Sequence, residues 1–300
     1  MKKKTYLIAL MAMALTLGSC SDNENGIGGE TSKYITVSTS IGNMTRVATD
    51  AKGGQTFGEG DEISVYAWTG APTVAPETSE RVVNNAINKL TNGAWVATPQ
   101  MLWKNNRDKH YFIGVYPTAA ISDLSAGEYT FDANKQTESD LLVAVNPDGL
   151  SYSADAQQTV PLTFTHVMAK LAVNLTYKNQ WGGIPTVEKV VVGNAAKEAT
   201  INYLTKVVTP STTAKEDFSL PEITENTKYV SVIIPQEDVK QLTIVIGGKN
   251  FVYDNGTPFK LESGKITTVN LEVGRDEIKL GDVKITDWED GCTFGGEALN

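Results

Sequence analysis

The chain has 300 residues, a formal net charge of −9 and only two cysteines, Cys20 and Cys292. Its acidity repels nucleic acid and anionic membrane surfaces, and both are rejected as partners. With Cys20 assigned to another use below, no internal disulfide can form, and the fold must rest on its apolar cores.

The first residues form an export signal. Met1-Lys2-Lys3-Lys4 is basic, Tyr6 to Leu17 is apolar but too short to span a bilayer, and Leu17-Gly18-Ser19-Cys20 ends it with two small residues and a cysteine. This is a lipoprotein signal over residues 1–19, with Cys20 as the lipidation site; an ordinary signal with a chance cysteine is the plainer reading. Two or more acyl chains would give stable anchoring where one does not. Cleavage before Cys20 leaves 281 residues and, by removing three lysines, takes the net charge from −9 to −12. That length fits about two domains. Residues 20–33 are polar and Gly-rich and read as a tether. Their acids resemble an export tag for the outer face of an outer membrane, and equally a plain linker.

From Tyr34 the chain reads as β almost throughout. Ile35, Val37, Thr39 and Ile41 share one face of a first strand. Phe57-Gly58-Glu59-Gly60-Asp61 is a turn and Glu62 to Trp68 a second strand. Arg81 to Leu90 is read as a short helix, against the preference of its asparagines. Ala94 to Ala97 follows an Asn-Gly turn. Tyr111 to Tyr116 is a strand stopped by Pro117, and Leu141 to Val145 is one ending at Pro147-Asp148-Gly149. Tyr129 to Phe131 lies between them.

Leu162 to Tyr177 is the most informative stretch. Leu162 and Phe164 share one parity. After His166 the apolar set (Val167, Ala169, Leu171, Val173, Leu175) moves to the other, which requires a bulge or a strand passing from one core to another. A boundary there divides the chain into an N-terminal domain, 34–161, and a C-terminal one, 162–300. Val187–Val192, Tyr229–Ile234, Leu242–Ile246, Phe251–Tyr253, Lys265–Val273 and Ile278–Trp288 are further strands, with a Gly247-Gly248 hairpin turn. The expected fold class is all-β, as two tandem sandwiches.

Catalytic constellations are missing. His110, after Arg107-Asp108-Lys109, reads as a solvated residue before its strand, and His166 as a hydrogen-bonded structural residue rather than a base. There is no serine elbow, HExxH, P-loop, Rossmann glycine set or paired-cysteine metal motif. Asp61-Glu62 and Glu289-Asp290 are adjacent pairs that a strand points to opposite faces, unsuited to a two-carboxylate glycosidase. No enzyme activity, cofactor or metal ligand set is assigned, although Ca²⁺ on loop oxygens stays open. Cys292 reads as an incidental thiol.

A family pattern runs through the pieces: the lipobox at Cys20, Thr45-Arg46, Phe57 to Tyr66, Tyr111 to Pro117, Ser139-Asp140-Leu141-Leu142, Leu162 to Leu171, Val232-Ile233-Ile234-Pro235-Gln236 and Ile285-Thr286-Asp287-Trp288. Each is short, but in order and spacing the chain resembles the fimbrillins, pilins of anaerobic gut and oral bacteria. The resemblance implies two tandem transthyretin-like β-sandwich domains, export as an outer-membrane lipoprotein, and a role in adhesion as a pilus (fimbrium) subunit or accessory protein. It implies cleavage by a trypsin-like protease after the arginine beyond the first strand, here Arg46, which otherwise is a plain solvated arginine. It also implies head-to-tail strand donation between pilin subunits. Ile278 to Trp288 is the candidate donor, with a bulge at Gly281 to reconcile its two parities; alternatively it is the last strand of its own sheet. The rival reading is a non-polymerising surface lipoprotein that binds a host or dietary glycan through Trp68, Trp95, Trp103, Trp181 or Trp288.

Overall fold

The computed structural model describes residues 33–42, 56–153, 158–254 and 256–288. Cys20, Arg46, Cys292 and Glu289-Asp290 lie outside the described residues. The first half of the chain forms β1 (Thr36–Ile41), β2 (Glu62–Thr69), β3 (Val83–Thr91), β4 (Ala94–Thr98), β5 (His110–Tyr116), β6 (Gly127–Thr130), β7 (Leu142–Leu150) and β8 (Thr159–His166). The second half forms β9 (Ala169–Tyr177), β10 (Val187–Ala196), β11 (Glu198–Asn202), β12 (Val207–Pro210), β13 (Lys215–Leu220), β14 (Glu222–Thr224), β15 (Lys228–Ile233), β16 (Gln241–Ile246), β17 (Lys249–Asp254), β18 (Lys265–Val273) and β19 (Ile278–Asp287). Helix is limited, among the described residues, to single 3-10 turns at Thr78–Glu80 and Asn179–Trp181. The all-β expectation holds.

Seven strands form one sheet in the order β1-β8-β7-β5-β2-β3-β4. It curls around an inner core in which Ile63, Val65, Phe112, Leu162 and Phe164 meet Val37 of β1 and Ile35 just before it. Its outer face is buried too: Tyr66, Trp68, Ile113 and Val143 join the large core of the second half. Burial on both faces explains why Ile63 to Trp68 is buried without a break and why the stretch reads as a continuous apolar run. The second half contributes a five-stranded sheet (β14-β15-β9-β18-β19), a four-stranded one (β13-β10-β16-β17) and a three-stranded one, β12-β11-β6, in which β6 is supplied by the first half.

The parity switch after His166 is a change of sheet. β8 belongs to the seven-stranded sheet and β9 to the five-stranded one, with Val167 and Met168 fully buried between them. The hairpins at Asn92-Gly93 and Gly247-Gly248 have positive φ at both turn residues, as two-residue hairpin loops require.

Two expected elements are corrected. Arg81 to Leu90 is not a helix; it contains β3, paired with β2 and β4. The register between β2 and β3 slips, so that Val65 faces Ala86 and Ala67 faces Val83. Asn84 and Asn85 together oppose Tyr66, and Asn85 takes a φ of 56°. This bulge puts Val83 and Ala86 on one face at a spacing of three, which mimics helical periodicity. The strand at Leu141–Val145 does not end at Pro147. β7 resumes at Leu150, which pairs with His110, while Asn146 pairs with Phe112. Pro147, Asp148 and Gly149 bulge out, so the proline costs no ladder bond.

His110 is also corrected: it is wholly buried, not solvated. Its Nε2 accepts the Lys104 amide at 3.0 Å, its Nδ1 lies 3.1 Å from the Asp108 carbonyl, and the Trp103 ring meets it edge-on at 5.0 Å. The neutral ring protonated on Nδ1 satisfies both bonds; a proton on Nε2 would confront the amide N–H. Burial pushes the imidazole below its ordinary value. The unfolded chain, titrating near pH ~6.5, therefore takes up the proton first, and stability falls as the pH drops through that value until the folded-state value is passed. Urea midpoints at neutral and mildly acidic pH should differ more for the wild type than for His110→Gln. Equal pH dependence in both would contradict this.

Candidate functional site

The first strand and its seat form the candidate site. β1 lies at one end of the seven-stranded sheet and runs parallel to β8, with Thr36 opposite Thr159 and Ile41 opposite Phe164. Its alternation is the cause of its placement. Ile35 and Val37 point into the inner core at 1% and 6% exposure, and burying each contributes about 1.5–3 kcal/mol. On the other face hydroxyls pair across the two strands: Thr36 Oγ1 lies 3.2 Å from Thr159 Oγ1, and Ser40 Oγ donates to Thr163 Oγ1 at 3.1 Å. The Gly42 amide closes the strand on the Phe164 carbonyl at 2.9 Å.

The other edge of β1 is closed by a segment that sequence reasoning missed. The Ile35 amide donates to the Met101 carbonyl at 3.0 Å, and the Trp103 amide donates to the Lys33 carbonyl at 3.1 Å. Tyr34 and Leu102 form the antiparallel bridge between them. The only sequence signal was the apolar run Met101-Leu102-Trp103 between Pro99 and Lys104; backbone pairing has no side-chain signature. Beyond Ile35 this edge faces a cleft of about 710 Å³ lined by Thr36 to Ile41, Phe57, Leu90 and Trp95, among others. Trp95 Nε1 spans it to Thr39 Oγ1 at 3.0 Å. Phe57 sits against Trp95, Tyr116 and Phe164, with ring centroids 5.4, 5.3 and 5.1 Å away.

Without β1, the seat would present the free edge of β8 on one side and the Met101 carbonyl and Trp103 amide on the other. Two apolar sockets, those of Ile35 and Val37, would lie between. Such a slot selects an extended segment with small apolar residues two apart. Gly42 is the last described residue after β1, and Arg46 follows it by four positions in the sequence.

The candidate donor, β19, pairs antiparallel with β18 at the edge of the five-stranded sheet. The expected bulge is present: Asn270 faces Asp282 and Leu271 faces Leu280, leaving Gly281 as the extra residue. Leu280, Val283 and Ile285 are 37–40% exposed, so β19 is an edge strand with little of its own core.

His166 is hydrogen-bonded, as expected. It is buried, and its Nδ1 lies 2.8 Å from Asp140 Oδ1. Three of the five tryptophans are withdrawn from solvent. Trp68, Trp103 and Trp288 are buried; Trp95 and Trp181 are partly buried, their ring N–H groups bonded to Thr39 and to the Val273 carbonyl. Among the described residues no group of three or more His, Cys, Asp or Glu side chains could hold a metal ion.

Comparison with known proteins places this architecture. The family described as fimbrillin-like matches residues 45–288. A search of curated proteins finds no match. Among solved structures, a protein assigned to cell adhesion from Bacteroides uniformis superposes with a TM-score of 0.62 at 18% identity, covering 85% of this chain and 98% of that one. A protein with the same assignment from Bacteroides ovatus gives 0.61 at 18% identity, with the same coverage. A fimbrial protein from Bacteroides vulgatus gives 0.52 at 13% identity, covering 84% and 99%. At these identities the superpositions establish the fold. The family match spans most of the chain, and on it this protein belongs to the fimbrillin-like family.

Proposed function

We propose that this protein is a surface subunit of a pilus, or an accessory of one, exported as a lipoprotein on Cys20, processed after Arg46 and joined to sister subunits by strand donation. In this reading the mature chain is anchored in the outer membrane until processing, and its role is cell adhesion. Residues 34–161 and 162–300 act as its two domains. The reading rests on family membership together with one observation. β1 occupies a slot bounded by β8 and Met101–Trp103, and the chain leaves that slot just before Arg46. Removal of 20–46 would open the slot without cutting any other strand of the sheet. The main-chain groups freed there need partners, and a strand from another subunit supplies them in a head-to-tail contact that does not close on itself. The buried and half-buried tryptophans favour this over glycan recognition.

Mass spectrometry of the mature N-terminus on expressing cells tests the reading. Acylated Cys20 on the unprocessed form and Val47 on the processed form are expected, with Arg46→Ala accumulating only the first. An unmodified N-terminus at Cys20, or a processed form starting elsewhere, would contradict it.

A further inference from the structure

β19 is held in its own subunit by few side chains. Its residues from Lys279 to Asp287 are exposed, and Ile278 is partly buried. Its ion pairs, Lys265–Asp287, Lys279–Glu277 and Lys284–Asp282, are exposed, a class worth about 0–1 kcal/mol each. Trp288, the residue immediately after the strand, is different: it is 8% exposed. The His166 ring stacks on its indole at 4.0 Å with an interplanar angle of 7°. Lys170 Nζ, on a side chain that is 1% exposed, lies 4.1 Å from the ring centroid. The Trp288 amide donates to the Gly264 carbonyl at 3.0 Å, and the Gly264 amide to the Met168 carbonyl at 2.8 Å. The seat is itself fixed, because Asp140 holds His166 and the Ser263 hydroxyl holds the Val167 carbonyl at 2.8 Å.

We infer that Trp288 is a latch for the C-terminal strand, and that its seat on His166 and Lys170 decides whether β19 stays docked on β18 or is released to pair with a second copy of this chain. The second half of that statement rests on the strand-donation reading; the first does not. Stacking, cation–π contact and burial of a large ring converge on one residue, whereas β19 itself contributes one ladder of backbone bonds, exposed polar contacts and half-exposed apolar side chains. The sequence of β19 suits the role. Val283 and Ile285 are apolar residues two apart, the spacing of Ile35 and Val37 in the slot described above, and Lys284 between them would face away from the inner core as Thr36 does.

Hydrogen exchange on the full chain tests the latch. In Trp288→Ala the amides of β19 should exchange about tenfold faster or more, with β9 and β15 within about twofold of wild type. Trp288→Phe, which keeps a stacking ring, should lie near wild type. Unchanged β19 exchange in Trp288→Ala, or equal acceleration in β9 and β15, would overturn the latch. The same variants after digestion with an Arg-specific protease test its consequence: multimers should form faster with Trp288→Ala. Faster exchange with no change in multimer formation would overturn release for pairing while leaving the latch in place.

Discussion

Phe164→Ala is expected to lower the unfolding free energy by about 3–5 kcal/mol, a fall in Tm on the order of 10 °C for a chain of this size. Phe164 is fully buried at the middle of the inner core. It faces Ile41 of β1 and Ala144 of β7 across its two ladders, and Phe57 lies edge-on to it at 5.1 Å. Beneath it Gly114 of β5 has no side chain to move into the gap: a Cβ there would stand 2.6 Å from Phe164 Cζ. The cavity would therefore stay open, which puts the cost in the upper part of the range. The same geometry predicts a coupling. Gly114→Ala alone should cost about 1–3 kcal/mol by overpacking, but in the Phe164→Ala background the added methyl partly fills the hole. The double variant should be less destabilised than the sum of the singles by about 1 kcal/mol or more. Additive urea midpoints would show that ring and glycine do not share a space. Because Phe164 also backs the seat of β1, the single variant should loosen that strand as well.

How much of this arrangement could be read from the residues depends on how each part is stabilised. Strands with a buried face announced themselves: Ile35 and Val37, Ile63 to Trp68, and the parity change after His166 all correspond to what the chain does. β3 was hidden because Asn85 carries a bulge that converts a spacing of two into three. β7 was cut short because a proline in a bulge looks like a proline that ends a strand. His110 follows three charged residues, yet its ring turns inward to take the Lys104 amide, and local polarity could not report that. β11 to β14 went unread because their exposed faces are rich in Thr, Ser and Glu, and two of them are very short. The closure of β1 by Met101–Trp103 and the pairing of β6 with β11 are backbone contacts between distant segments. The seat of Trp288 required knowing that β8 and β9 diverge beside the end of β19.

Excision of β1 carries the largest expected effect on behaviour. With the three residues before it, β1 supplies two buried apolar side chains, a parallel ladder to β8 and two bonds to the Met101–Trp103 segment. Its loss removes about 3–6 kcal/mol of apolar burial and leaves unpaired amides and carbonyls facing water. The processed subunit should be less stable alone than the intact chain and regain stability on pairing, since anything that binds only the folded state stabilises it. A synthetic peptide spanning residues 33–42 should compete for the slot and suppress multimers, whereas a peptide with aspartate at positions 35 and 37 should not, because a charge cannot enter either socket without a partner.

The central claim is that the slot of β1 accepts a strand from a second copy once the chain has been cut at Arg46. Wild-type and Arg46→Ala proteins, incubated with an Arg-specific protease and run on a gel without boiling, test it most directly; Arg107 and Arg275 are also exposed, so the variant reports what cutting elsewhere does. The account predicts a ladder of multimers from wild type, each rung collapsing to a chain that begins at Val47 on boiling, and no ladder from Arg46→Ala. A wild-type product that begins at Val47 and remains a folded monomer at high concentration would contradict it.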